Sequence, residues 1–218
     1  MRLPRLNVIL DTNVAARAGW TLPDLAEACV SGGARWLQIR AKTISGGAFL
    51  DVATRVLAIA HASGAILVVN DRADIARLAG ADGVHVGQDD LSPAAARAVV
   101  GTDAVVGIST HTEAQIDAAI AEPVSYIAVG PVFGTATKDT GYAAVGIDRV
   151  RYAVAAIGHG PEENGGRSRG VVAIGGMTLD RAAEVVMAGA TAVAVITDLL
   201  ATDDPESRVR AYLRQLAK

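Results

Sequence analysis

The sequence predicts a (β/α)₈ barrel, the TIM-barrel architecture, in one compact domain. Three observations carry that reading. Eight short apolar runs recur along the chain, each four or five residues long and nearly continuous in hydrophobicity, as strands buried on both faces of a parallel sheet are. A longer, Ala-rich, helix-compatible stretch follows each run. The 218 residues lie close to the ~200-residue floor of the fold and leave room for eight such units and little else. A doubly wound open sheet is the rival architecture, but it rarely needs eight evenly spaced parallel units.

In order, the predicted strands are Leu6–Leu10, Trp36–Ile39, Ile66–Val69, Gly83–Val86, Val105–Ile108, Tyr126–Val129, Val171–Ile174 and Ala192–Ile196. The predicted helices are Leu22–Cys29, Ala48–Ala62, Arg72–Leu78, one opened by Ser92-Pro93, Thr112–Ala121, Asp148–Ile157, Leu179–Ala188 and Pro205–Leu216. Ser92 and Thr112 are N-cap residues, and Pro93 suits a first helical turn. Gly80 and Gly189 stand at C-cap positions. Two connections are long. Gly130–Gly146 follows the sixth strand. Gly158–Gly170, GHGPEENGGRSRG, runs from helix to strand and reads as a surface insertion on the face opposite the catalytic one.

Composition narrows the function. Lys plus Arg is 20 and Asp plus Glu 23, a net charge of −3, which argues against a non-specific nucleic-acid binder. No stretch approaches the ~20 apolar residues of a membrane span. The apolar run behind Arg2 and Arg5 stops at Asp11, too short for a signal-peptide core. A single cysteine, Cys29, cannot form an internal disulfide. These features point to a soluble, cytoplasmic protein. The oligomeric state is left open, a homo-oligomer included.

Chemistry in this fold sits at the C-terminal ends of the strands. After the second strand, Gln38, Arg40 and Lys42 alternate with Ile39 and Ala41, so the three polar side chains share one face and suit a phosphate-rich anion. Asn70-Asp71 follows the third strand and Gln88-Asp89-Asp90 the fourth. Neighbouring strands lie ~4.8 Å apart, so carboxylates beyond both ends can share one Mg²⁺ with substrate phosphates. The alternative is that they cap the helices that follow. Ser109 ends the fifth strand as a hydroxyl donor. His111 near it is a lone histidine, more often structural than catalytic. Thr135, Thr137 and Lys138 lie in a Gly-flanked loop after the sixth strand, suited to phosphate binding or to movement as a lid. Gly175-Gly176 and Ile196-Thr197-Asp198 follow strands seven and eight, where this fold often binds phosphate. Gly107, Gly130, Gly175 and Gly176 are read as making room for phosphates, which would explain part of the 23 glycines. Two anion pockets side by side, one with a divalent cation, suggest a transferase that joins two phosphorylated fragments.

These segments resemble the thiamine phosphate synthase (thiamine-phosphate pyrophosphorylase) family. The matching pieces are QIRAK at 38–42, VVNDRADIARLAGADGVHVGQDDL at 68–91, GISTHT at 107–112, YIAVGPVFGTATK at 126–138, VVAIGGMT at 171–178 and AVAVIT at 192–197. They run through nearly the whole barrel in order, and the NDR…GADGVHxGQxDL run is the most specific. The resemblance implies coupling of 4-amino-2-methyl-5-hydroxymethylpyrimidine diphosphate to a thiazole phosphate. On it, Gln38, Ile39, Arg40, Ala41, Lys42, Asn70, Ser109 and Lys138 would hold the pyrimidine diphosphate, with Arg40, Lys42, Ser109 and Lys138 as the catalytic set. Asp71 and Asp90 would hold Mg²⁺. Thr135, Ala136, Thr137, Gly176, Ile196 and Thr197 would hold the thiazole phosphate.

The chain departs from the family pattern in places. Ala41 stands where Glu is common, Gly134 where Pro is frequent, and Thr197 where Ser is common. The first strand ends Leu10-Asp11-Thr12, and no role is placed there. Two other readings remain. One is a thiazole tautomerase on the same scaffold, which would need an acid/base, typically His, where this chain has Pro131. The other is a catalytically silent barrel that binds thiamine precursors.

Overall fold

A computed structural model describes residues 3–134, 141–158 and 169–217. Eight parallel strands close into a barrel in sequence order, with β8 returning to β1. They are β1 (Leu6–Asp11), β2 (Trp36–Arg40), β3 (Ile66–Asn70), β4 (Gly83–Val86), β5 (Val105–Thr110), β6 (Tyr126–Val129), β7 (Gly170–Ile174) and β8 (Ala192–Val195). All eight coincide with predicted runs to within two residues.

The helices around them are α1 (Thr12–Arg17), α2 (Leu22–Ser31), α3 (Gly46–Ala62), α4 (Ala73–Ala79), α5 (Pro93–Val100), α6 (Glu113–Ile120), α7 (Gly146–Gly158), α8 (Leu179–Met187) and α9 (Pro205–Leu216). A short 3₁₀ turn spans Thr197–Leu200. Local chemistry starts and stops them. The Ser92 hydroxyl accepts from Ala95 N, and Thr112 forms a reciprocal capping box with Gln115. Gly80 ends α4 in the left-handed conformation, at φ 74°. Helix α1 and the 3₁₀ turn are additions to the predicted set, and α1 exists because Asp11 caps it.

Strand alternation divides the apolar residues into two cores. Leu37 and Ile39 of β2 face the helices with Leu67, Val69, Val84 and Ile127. Trp36 faces inward with Ile9, Val68, Tyr126, Val172 and Ala194. The inner core is small because polar residues fill its upper half: Gln38, Asn70 and His85 are buried, and so is Asp11 at the end of β1. Trp36 and Tyr126 meet edge to face at 5.0 Å across the barrel floor.

The barrel also corrects the reading of the glycines. A Cβ on Gly107 would lie 2.0 Å from Cζ of Tyr126, so its missing side chain houses an aromatic ring and not a phosphate. Gly130 and Gly175 are likewise closed against protein, by the Ile174 carbonyl and by Pro131. Most of the long 158–170 segment, and residues 135–140 of the loop after β6, lie outside the described residues.

Candidate active site

The polar groups expected at the barrel mouth come from the ends of consecutive strands, β2 to β5. Arg40 ends β2, and its guanidinium donates from Nη1 to Oδ2 of Asp11 at the end of β1. Two residues on, the Lys42 ammonium forms an ion pair with the Asp71 carboxylate. Lys42 is the more accessible of the two cations, and Arg40 is held deeper. Ile39 and Ala41 between them turn their side chains toward the outer core, so only their main chain faces the site.

Asp71 lies just beyond β3 with φ 65°, the one non-glycine residue of positive φ among the described residues. An L-residue rarely adopts that conformation, and Asp and Asn tolerate it best. Its N–H donates to the His85 carbonyl at 2.7 Å, which locks the turn onto β4. Asp71 does not cap α4: the N-cap position is Arg72, which makes no side-chain cap bond. The capping alternative therefore falls for Asp71. It falls for Asp90 as well, because Ser92 caps α5. Asp90 Oδ2 instead accepts from Gly87 N at 2.8 Å. Desolvation pushes the Asp90 carboxyl above the usual carboxylate range, and its interaction with the nearby Asp71 carboxylate adds to the rise. Two carboxylates turned toward one another in this way form an oxygen-donor pair suited to a hard divalent cation.

Below the mouth runs a buried hydrogen-bonded chain. Gln38 Nε2 lies 3.5 Å from the Tyr126 hydroxyl, which lies 2.9 Å from His85 Nδ1; His85 Nε2 lies 2.9 Å from Ser109 Oγ. With the His85 proton on Nε2, Tyr126 accepts from Gln38 and donates to Nδ1, and the Nε2–H donates to Ser109. In that tautomer the Ser109 hydroxyl hydrogen points away from His85. Burial holds the Tyr126 phenol above its ordinary range, which keeps it a donor. Gln88 Nε2 donates to the Ser109 carbonyl at 2.6 Å and ties the loop after β4 to β5. Asn70, buried at the end of β3, stands beside His85 in register.

The far side of the mouth is formed by the ends of β6, β7 and β8. Gly176 has φ 60°, and a Cβ there would lie 2.5 Å from the Gly134 carbonyl oxygen, so the glycine pair seats the loop that leaves β6. Arg181 donates to the Gly176 carbonyl at 2.7 Å and lies over the Phe133 ring. Ile196 lines the inner core, and exposed Thr197 opens the 3₁₀ turn. Thr135, Ala136, Thr137 and Lys138 lie outside the described residues. His111 has a structural role: its Nδ1 bonds the Gly130 carbonyl, and its ring stacks on Tyr142 at 4.2 Å.

Sequence reasoning missed Asp11, His85 and Tyr126. The signal for each was strand phase. Asp11 lies in phase with inward-facing Ile9, and Tyr126 pairs in register with Gly107, whose missing side chain admits the ring.

Fold and site together define a (β/α)₈ barrel whose mouth sets two cations against paired carboxylates over a buried polar chain. The family model described as thiamine monophosphate synthase matches residues 6–199. A thiamine-phosphate synthase of Koribacter versatilis is 42% identical, with 99% of this chain and 97% of that protein aligned. Another, from Thermosynechococcus vestitus, is also 42% identical over 90% of this chain, but the chain spans only about half, 53%, of its length. Among solved structures, a thiamine phosphate pyrophosphorylase from Pyrococcus furiosus shares the fold, with a TM-score of 0.84 at 23% identity over 98% of this chain and 95% of that one. This chain belongs to the thiamine monophosphate synthase family.

Proposed function

We propose that the chain joins 4-amino-2-methyl-5-hydroxymethylpyrimidine diphosphate to a thiazole phosphate, giving thiamine phosphate and pyrophosphate. The observation that carries this reading is the convergence of Arg40, Lys42, Asn70, Asp71, Asp90 and Ser109 on one mouth from four consecutive strands. Family membership supports it.

In this reaction the bond between the pyrimidine's exocyclic methylene and the diphosphate oxygen breaks. The electron pair leaves with the diphosphate, and the aminopyrimidine ring stabilises the carbon cation. The thiazole nitrogen then donates its lone pair to form the C–N bond. No proton has to be removed from the nucleophile, so the reaction needs no general base. The protein's tasks are leaving-group stabilisation and positioning. Arg40 and Lys42 spread the diphosphate charge, joined by Lys138 in the family pattern. Ser109 donates its hydroxyl to substrate, and Asn70 holds the substrate from β3. Gln38, at the floor of the mouth, and the main chain of Ile39 and Ala41 bound the pyrimidine pocket. On the β6–β8 side, Thr135, Ala136, Thr137, Gly176, Ile196 and Thr197 would receive the thiazole phosphate.

The Asp71–Asp90 pair fits Mg²⁺ in donor chemistry, because two carboxylates plus substrate phosphates are a usual set for that ion. The ion would neutralise charge on the departing diphosphate. Lys42, paired with Asp71 at the same mouth, is the accessible cation that would serve the diphosphate. Such an enzyme works on small molecules in the cytoplasm and needs neither nucleic acid nor membrane. No helix among the described residues is long and apolar enough to cross one.

The tautomerase reading lacks its acid/base, since Pro131 occupies that position and packs beneath Gly175. Product analysis by NMR, which tells the thiazole isomers apart as well as detecting thiamine phosphate, separates all three readings. With both precursors and Mg²⁺, thiamine phosphate supports the synthase. An isomerised thiazole phosphate alone would indicate the tautomerase, and unchanged precursors a silent binder; either result overturns the proposal.

A further inference from the structure

We infer that Asp11 is a positioning residue for the diphosphate pocket, acting through Arg40 from the end of β1. The inference rests on the reading of Arg40 as a diphosphate ligand.

The geometry is specific. The Asp11 side chain is 3% exposed, and both its oxygens are engaged. Oδ1 accepts from Asn13 N and Val14 N, each at 3.0 Å, as the N-cap of α1. Oδ2 accepts from Nη1 of Arg40. The cap fixes the carboxylate relative to the backbone, and the fixed carboxylate orients the guanidinium. A guanidinium carries five N–H donors in a rigid fork, so one contact to Asp11 leaves the others for a diphosphate. A long side chain at an open mouth otherwise loses rotamer entropy on meeting its ligand; a buried anchor removes most of that cost in advance. This also gives a reason for α1, a six-residue helix wedged between β1 and α2. The N–H groups of Asn13 and Val14 in its first turn hold the anchor. Lys42 differs: its partner Asp71 belongs to the proposed metal pair, so that contact is exchangeable, whereas the Asp11 contact is built in.

Asp11→Asn is the informative substitution. Asn is among the best N-cap residues, so α1 remains capped. An amide has one acceptor oxygen, and when that oxygen serves the cap its NH₂ faces the guanidinium donors. Arg40 then loses its anchor while the fold is kept. The experiment measures KM for both substrates, the affinity for inorganic pyrophosphate with Mg²⁺ by calorimetry, and Tm, for Asp11→Asn, Arg40→Ala and the double variant. Asp11→Asn should weaken pyrophosphate binding and raise KM for the pyrimidine diphosphate by about ten- to a hundredfold, the factor that loss of a hydrogen bond between charged groups implies. KM for the thiazole phosphate and Tm should stay near wild type. The double variant should be no worse than Arg40→Ala, since Asp11 has nothing left to position. Wild-type pyrophosphate affinity in Asp11→Asn, or additive losses in the double variant, would overturn the inference. Wild-type affinity in Arg40→Ala would overturn it together with the diphosphate reading. Losses in both single variants of a chain that makes no thiamine phosphate would leave the positioning role standing and remove only the proposed reaction.

Discussion

At the residue scale, two positions show how local geometry decides which residue can serve. Asp71 adopts a left-handed backbone at φ 65° and presents its carboxylate beside Asp90. Asp71→Asn tolerates that backbone and retains the shape, but removes the charge. Turnover is expected to fall about a hundredfold or more at physiological Mg²⁺ with Tm unchanged, as steady-state kinetics and calorimetry would show. Gly107 is the second case. A methyl group there would enter the Tyr126 ring and push it from His85. Gly107→Ala should destabilise by about 3 kcal/mol, near the upper end for overpacking. Tm should then drop by roughly 6–12 °C for a chain of this size. A Tm within 2 °C of wild type would refute the ring-for-side-chain account. Most mouth residues were legible in the sequence because they alternate on strands: Gln38 and Arg40 do so visibly. Asp11 and His85 were not, because a single polar residue at a strand end carries no sign of which partner it will meet across the barrel.

At the element scale, β-strands were the most legible part. Each is a short apolar run without competing helical period, and burial on both faces forbids interruption. Helix starts with Ser or Thr caps were legible too. Helix α1 was not, since six residues with a β-branched Val14 have little propensity of their own and depend on the Asp11 cap. The 3₁₀ turn after β8 is held from outside. Asp198 accepts from Arg208 at 2.7 Å and from the Tyr212 hydroxyl, both on α9, so the last helix pins the turn that carries Thr197. Arg208 and Asp198 are both largely buried. Arg208→Ala would strand the Asp198 carboxylate and should cost about 3 kcal/mol. Chemical denaturation checks the stability. If the turn presents the thiazole phosphate, the same variant should raise that substrate's KM more than the pyrimidine diphosphate's.

At the scale of the whole molecule, a barrel near the minimum length divides its labour by height. The floor is apolar, with Trp36 and Tyr126 interlocked, and the mouth is polar. The glycine content, which invited a phosphate-binding explanation, serves this packing first: Gly107 and Gly175 are closed by protein atoms. Pairing of β1 with β2 sets Asp11 in register beside Arg40, an adjacency that a separation of 29 positions hides in the linear sequence. The proposed reaction yields one pyrophosphate for each C–N bond formed. The most direct measurement is pyrophosphate release as a function of Mg²⁺, with each precursor alone and with both together. The expected result is one pyrophosphate per thiamine phosphate, dependent on Mg²⁺ and on both precursors. No pyrophosphate above the no-enzyme control with both precursors and saturating Mg²⁺ would contradict it.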